Sequence, residues 1–151
     1  MIRTSNRLRL CTTLLVCNLV FIWGNSLLPA EISQAFSDWV KSLLLFWVTG
    51  NSSGIGGSGL LRKIAHFAEF TSLGALLAWH FGMRGKKQYL PLVCGVTAAC
   101  IDETIQMFVP ERGPGIRDVL IDTSGVLMGM LLIHLGHTYF KKKHDRHLED
   151  K

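Results

Sequence analysis

Charge is scarce in this sequence, and acidic side chains are the scarcest kind: the 151 residues include 11 Asp or Glu against 16 Lys or Arg. Apolar residues make up 48% of the chain and collect into blocks instead of spreading evenly. Each block has about 20 residues, the length that an α-helix needs to cross a hydrocarbon layer about 30 Å thick. The pattern therefore favours a membrane protein over a soluble domain. The predicted transmembrane helices cover about 10–28, 64–82, 89–109 and 118–138.

The cysteines lack the spacing that would indicate a metal site or a disulfide framework. All four stand inside apolar blocks and lie six residues apart within each pair. Neither pair has zinc-ligand spacing, so we expect small core residues at Cys11, Cys17, Cys94 and Cys100. The length of 151 residues suits one domain, so we expect a single membrane domain over 1–151, and the sequence shows no internal repeats of solenoid length.

The first apolar block has a second interpretation. Arg3, Arg7 and Arg9 followed by an apolar stretch also describe a secretory signal peptide. However, the apolar stretch is long for a signal peptide, and the following "NSLLPAE" has no A-x-A cleavage site. A retained transmembrane helix is the favoured interpretation.

Basic residues cluster at the ends of the apolar blocks, which argues against a nucleic-acid interface. The positive-inside rule places such clusters in the cytoplasm. This predicts a multi-pass protein of the inner (cytoplasmic) membrane with both termini cytoplasmic and the basic tail 141–151 against anionic lipid. The clusters consist of Arg3, Arg7 and Arg9, then Arg84, Lys86 and Lys87, then Lys141, Lys142, Lys143 and Arg146.

An amphipathic segment separates the first two apolar blocks. Over about 31–48, apolar residues recur every three or four positions, and a Gly/Ser-rich linker, "TGNSSGIGGSG", follows. This spacing predicts an extracytoplasmic helix that either lies at the lipid headgroups or packs across the end of the bundle. The predicted fold class is all-α: an integral membrane bundle of four transmembrane helices with this additional amphipathic helix.

Acidic residues inside the apolar blocks all fall at the predicted outer ends of the helices, whereas His80, His134 and His137 lie near the predicted cytoplasmic side. His66 and Glu69 are three residues apart, and Asp102 and Gln106 are four apart, so each pair shares a helix face. Asp118 and Asp122 form a further pair, whose stripe continues through Gly125 and Gly129, where another helix can approach closely. We therefore expect these polar faces to meet. The candidate catalytic residues are His66, Glu69, Asp102, Glu103, Gln106, Asp118 and Asp122; the candidate ligand-binding residues are Arg62, Lys63, Arg112 and Arg117.

The energetics of burial also favour convergence. One Asp at the centre of a membrane helix costs roughly 2.5–3.5 kcal/mol on insertion scales. Four carboxylates on two helices are therefore expected to face inward and to pair or neutralise. Two interpretations follow: an ion-paired plug that fixes the helix register, or an outward-facing polar pocket. The pocket is favoured, because ionisable residues inside membranes are usually functional.

The motifs "RKIAHFAEFTSLG" and "DETIQMFVPERGPGIRDVLIDTSGVLMG" together resemble the VanZ-like membrane proteins over about residues 10–137. The resemblance implies a small bacterial multi-pass membrane protein, and the family's namesake is associated with low-level resistance to the glycopeptide teicoplanin. The sequence departs from many relatives at Ile105, where they have His, and at the Gly-Pro-Gly turn 113–115.

Several functions are compatible with these residues. The first is binding or modification of an anionic envelope lipid or a lipid-linked cell-wall precursor. The second is a divalent-metal enzyme, although no recognised metal motif is present and no cofactor is indicated. A non-catalytic scaffold for envelope enzymes and a small oligomeric transporter are further alternatives. The residue pattern leaves both catalysis and oligomeric state open.

Overall fold

The computed structural model describes residues 2–29, 31–32, 35, 38–39, 58–110, 112 and 115–149. Within these ranges the chain forms four α-helices and no β-strand. They are α1 (Ile2–Ser26), α2 (Ser58–Met83), α3 (Leu90–Gln106) and α4 (Ile116–Glu149). The all-α prediction is confirmed. The amphipathic helix predicted over 31–48 lies mostly outside the described residues.

The helices differ in extent from the apolar blocks that predicted them. α1 already begins at Ile2, and α4 continues through the basic tail to Glu149. Arg and Lys are good helix formers, so the backbone can stay helical where the apolar pattern ends. α3 instead ends early, at Gln106, where the backbone tightens into turns and Phe108 N donates to Ile105 O at 3.1 Å.

A tight turn joins α2 to α3. Gly85 adopts a φ of 60°, a left-handed conformation that glycine tolerates without steric cost. Pro91 then lies in the first turn of α3, where a missing N–H leaves no helical hydrogen bond unmade. α2 and α3 therefore run in opposite directions as a hairpin.

Small residues bring α2 and α4 into close contact. Gly125 lies against Phe67 O and Thr71 N of α2, and Gly129 lies against Thr71 O. A Cβ atom at either glycine would overlap these backbone atoms. The predicted role of the glycine stripe as a close helix contact is therefore confirmed.

An apolar core fills the centre of the bundle. Phe70 and Leu73 of α2 are buried beside Ile22 of α1, Ala99 of α3 and Val126 of α4. A polar contact on the side of α1 adds to this packing, because Asn18 Nδ2 donates to Ser72 Oγ at 2.7 Å. All four helices thus share one core.

Two of the helices, over Ser5–Ser26 and Ile116–Lys143, are long and apolar enough to cross a membrane. Only 17% and 22% of their apolar windows, respectively, are buried inside the protein. A buried core helix of a soluble protein would be mostly covered, so these exposed apolar faces suit lipid. The prediction of four spans is supported for these two helices.

The prediction that all four cysteines are core residues is wrong. Cys11 is buried, but Cys17, Cys94 and Cys100 are exposed on the outside of the bundle. A lipid-facing surface accepts small apolar residues as readily as a protein core does. The apolar sequence around each cysteine therefore could not show whether it faces the core or the outside of the bundle.

Candidate functional site

One end of the bundle is polar, and we call it the polar end. The last turns of α1 and α3 and the first turns of α2 and α4 meet there, because successive helices run in opposite directions. Buried polar side chains are concentrated at this end: Ser26, Asp102, Glu103, Gln106, Arg112 and Asp122.

Asp102 lies at the centre of a buried hydrogen-bond network. Its side chain is 0% exposed, and Ser26 Oγ donates to Oδ1 at 2.6 Å. Gln106 Nε2 donates to Oδ2 at 2.7 Å and also approaches Ser26 Oγ at 3.3 Å. Asp102 thereby joins α1 to α3, and its orientation is fixed from two sides.

His66 of α2 lies between two carboxyl groups. Its Nδ1 is 3.9 Å from Asp102 Oδ2 and 3.8 Å from Asp122 Oδ1. Both distances allow electrostatic attraction but exceed a hydrogen bond. The imidazole is thus placed where one bridging water or one bound ion could connect it to both carboxyl groups.

Asp122 of α4 is buried without a hydrogen-bond partner. It is 1% exposed, and neither carboxyl oxygen has a partner among the described residues. A buried polar group normally has a hydrogen-bond partner. Burial of Asp122 without one therefore lowers the stability of the folded protein. Such positions are commonly functional.

A second group of contacts connects α1, α2 and the loop before α4. Asn25 Nδ2 donates to Glu69 Oε1 at 2.9 Å, while Arg112 donates to Asn25 O at 3.2 Å. Arg112 is 7% exposed, and its Nε and second terminal nitrogen lack partners among the described residues. Part of a buried guanidinium is therefore available to an anion.

Glu103 connects α3 to the residue that precedes α4. It is 8% exposed, and its Oε1 accepts a hydrogen bond from the backbone N–H of Gly115. Glu103 thus acts on the loop backbone and does not join His66 and the two aspartates.

A small cavity of about 10 Å³ opens beside His66 and Asp122. Its volume is close to that needed by a single water molecule. Arg62, Lys63 and Asp118 also line it, as the sequence predicted for a common polar face. Arg117 is exposed and does not line this cavity.

The model of the VanZ/LLP1 family matches residues 11–137. The chain belongs to the VanZ/LLP1 family. This match confirms the resemblance drawn from the two polar motifs, and its range contains every candidate site residue. Neither a curated protein nor a solved structure matches the chain. Family membership and the two exposed apolar helices together indicate a membrane protein.

Sequence reasoning missed the contribution of α1 to the site of this VanZ/LLP1 protein. Asn25 and Ser26 contact Glu69 and Asp102, yet the polar faces were assigned to the other three helices alone. Their position at the outer end of the first apolar block, at the depth of the other polar residues, could have identified them.

The Gly-Pro-Gly departure from many VanZ-like relatives has a structural role at its last position. Gly115 N donates to Glu103, and Gly115 O accepts from Asp118 N at 2.8 Å at the start of α4. Gly115 therefore links the Glu103 side chain of α3 to the first turn of α4. Ile105, the other departure, is half-buried on α3, and its apolar side chain makes none of the polar contacts of the site.

Proposed function

We propose that this VanZ/LLP1 protein is a multi-pass inner-membrane protein that binds the phosphate of an envelope lipid or lipid-linked cell-wall precursor at its polar end. The polar end faces the extracytoplasmic side, and both termini are cytoplasmic. The basic residues support this orientation, because Arg84, Lys86 and Lys87 lie in the turn at the opposite end. A headgroup can then reach the site while its acyl chains stay in lipid.

The observation that carries the proposal is the incompletely paired guanidinium of Arg112. Burial lowers the pKa of Arg112 from its ordinary value, the nearby Arg62 charge acts in the same direction, and Asp102 opposes both. An anion that enters would offset this unfavourable burial. Arginine binds phosphate through two parallel hydrogen bonds, and two nitrogens of Arg112 have no hydrogen-bond partner in the part of the chain that the structure describes.

Arg62 and Lys63 supply further positive charge at the rim. Both line the small cavity beside His66 and Asp122, and the charge of Arg62 acts on Arg112, so the positive charges of the polar end lie near one another. This arrangement suits a site that binds the phosphate group of a lipid and then either modifies that group or covers it. We propose that binding of cell-wall precursors at this site contributes to resistance to glycopeptides such as teicoplanin.

Packing at the centre of the bundle argues against transport by a single chain. The described residues between the polar end and the opposite end include Phe70, Leu73, Ala99 and Val126, which form a closed apolar core. A polar solute would have no hydrogen-bonding groups along this route. Lipid binding at one end is therefore the better-supported function.

Replacing Arg112 by glutamine should weaken phospholipid binding about tenfold or more, because a charge-assisted hydrogen bond is worth about 1.5–3 kcal/mol. Native mass spectrometry of the purified protein measures this with two probes, phosphatidylglycerol and a polyisoprenyl pyrophosphate. Phosphatidylcholine, which is zwitterionic, serves as the reference lipid.

The matched control is Arg84→Gln, which removes an exposed arginine at the opposite end. Preference for the pyrophosphate probe would identify a precursor site, and equal binding of both probes a general anionic-lipid site. If neither anionic probe binds better than phosphatidylcholine, or if both arginine variants lose binding equally, the proposal is wrong. A teicoplanin susceptibility assay with the same two variants tests the link to resistance.

Cysteine labelling should show the two ends of the bundle on opposite sides of the membrane. In a background without native cysteines, Ile116→Cys at the polar end should react with a membrane-impermeant maleimide in intact spheroplasts. Lys86→Cys should react only after lysis. Both positions are exposed, so accessibility depends on the side of the membrane. The reverse pattern, or labelling of both positions from outside, would contradict the proposed orientation.

A further inference from the structure

We infer that His66, Asp102 and Asp122 form a binding site for one divalent transition-metal cation. The three residues come from α2, α3 and α4, so the bundle brings them together although they are far apart in the chain. One ligand atom from each lies within 4.8 Å of the other two. The inference does not depend on lipid binding by Arg112.

Asp122 provides a separate reason to place a cation here. A carboxyl group that is 1% exposed and has no hydrogen-bond partner for either oxygen among the described residues carries a large desolvation cost. It lines the small cavity that His66 also lines. A cation in contact with Asp122 would supply the missing partner for one or both oxygens.

The distances around His66 favour a shared cation over a direct ion pair. A protonated His66 would be expected to approach one aspartate to hydrogen-bond distance, whereas both Nδ1 distances are nearly equal, at 3.8 and 3.9 Å. A tetrahedral metal with bonds of about 2.1 Å separates its ligand atoms by roughly 3.4 Å. Small side-chain adjustments would therefore bring all three ligands into coordination.

The hydrogen bonds around Asp102 resemble the outer support that metal ligands usually have. Ser26 and Gln106 hold its carboxylate from α1 and from α3 itself, which leaves the Asp102 orientation fixed before an ion arrives. One imidazole with two carboxylates suits Zn²⁺ or Mn²⁺, because imidazole alone favours the softer transition metals and carboxylate the harder ions. Water or a substrate oxygen would complete the coordination.

The test is a Mn²⁺ titration of the metal-stripped, full-length protein, followed by electron paramagnetic resonance, with Zn²⁺ added afterwards as competitor. We expect one Mn²⁺ per chain and its displacement by Zn²⁺. Changes around metal ligands typically cost about 10–100-fold in affinity, so His66→Ala and Asp122→Asn, which remove ligands themselves, should each cost at least about 100-fold. Circular dichroism and gel filtration establish that each variant remains folded.

The exposed His134 and His137 near the other end of α4 provide the matched control. They are three residues apart and line a different groove, so they could chelate a metal adventitiously. The double variant His134→Ala/His137→Ala should retain the Mn²⁺ stoichiometry and affinity of the unmodified chain. The inference is overturned if folded protein binds no stoichiometric Mn²⁺ or Zn²⁺, if binding survives unchanged in folded His66→Ala or Asp122→Asn, or if it is lost in the double variant. Loss of metal with unchanged phosphatidylglycerol binding would leave the lipid proposal intact.

Discussion

Gly129→Val should destabilise the bundle by about 3 kcal/mol or more, near or above the upper end of ordinary overpacking. The new side chain would enter the backbone of α2 at Thr71 and Ala75, where a flexible side chain is not available to move aside. α2 and α4 would have to separate, which would also draw His66 away from Asp122. Thermal unfolding in a mild detergent, followed by loss of helical circular dichroism, measures the effect.

Gly136→Val is the matched control, because it makes the same change on the same helix. A Cβ atom at Gly136 meets nothing within 4 Å, so we expect a change of less than about 1 kcal/mol. Equal losses at the two positions would show that helix propensity or insertion matters more than the close contact. An unaffected Gly129→Val variant would contradict the described α2–α4 packing.

Asp122→Asn should stabilise the metal-free protein by roughly 1–2 kcal/mol, whereas Asp102→Asn should destabilise it by about 1–3 kcal/mol. At position 122 the amide can donate to the nearby Asp102 carboxylate and removes an unpaired buried acid. At position 102 the same change replaces an acceptor that already receives hydrogen bonds from Ser26 and Gln106. Both substitutions make the same Asp→Asn change. Opposite changes in the free energy of unfolding would therefore reflect only the different surroundings of the two positions.

Melting temperatures in detergent with EDTA present check this pair, because a bound cation would mask the cost of Asp122. The result also separates the two interpretations of the buried charges. If they form an ion-paired plug that fixes the helix register, both variants should lose stability. Gain at 122 combined with loss of ligand binding indicates a residue retained for function at the expense of stability. Ser26→Ala, which removes one donor to Asp102, should give a smaller loss of about 1 kcal/mol.

The general architecture was predictable from the sequence because lipid imposes a simple length rule on helices. Apolar blocks of about 20 residues predicted the four helices, and the small residues at Gly125 and Gly129 predicted their close contact. The helix ends were less predictable. Apolar windows mark the part of a helix that suits lipid, whereas the hydrogen bonds of α1 and α4 continue through Arg and Lys residues to Ile2 and Glu149.

Sequence spacing predicted which polar faces of α2, α3 and α4 would meet, but not the contacts of α1 or the individual pairings. Spacing placed His66, Asp102 and Asp122 on faces that could meet, and the structure brings them together. Spacing could not show that Glu103 would turn to Gly115, or that Arg117 would remain outside the cavity. Those outcomes depend on the rotation of each helix and on the loop between α3 and α4, which a pattern along one helix does not determine. Asn25 and Ser26 were missed because polar residues at the end of a span also serve as ordinary boundary residues.

The polar end combines residues of α1 and α2 with residues of α3 and α4, so it can form only after all four helices have been synthesised. The first two helices, α1 and α2, contribute Asn25, Ser26, His66 and Glu69, while Asp102 and Asp122 arrive only with α3 and α4. While only α1 and α2 have been synthesised, Asn25 and Glu69 can already pair with each other, but Ser26 and His66 still lack Asp102 and Asp122. Lipid offers these groups few hydrogen bonds. Their burial against α3 and α4 is therefore more favourable than packing of α1 and α2 against unrelated apolar helices. The residues that serve the ligand would then also direct the two halves of the nascent chain to each other.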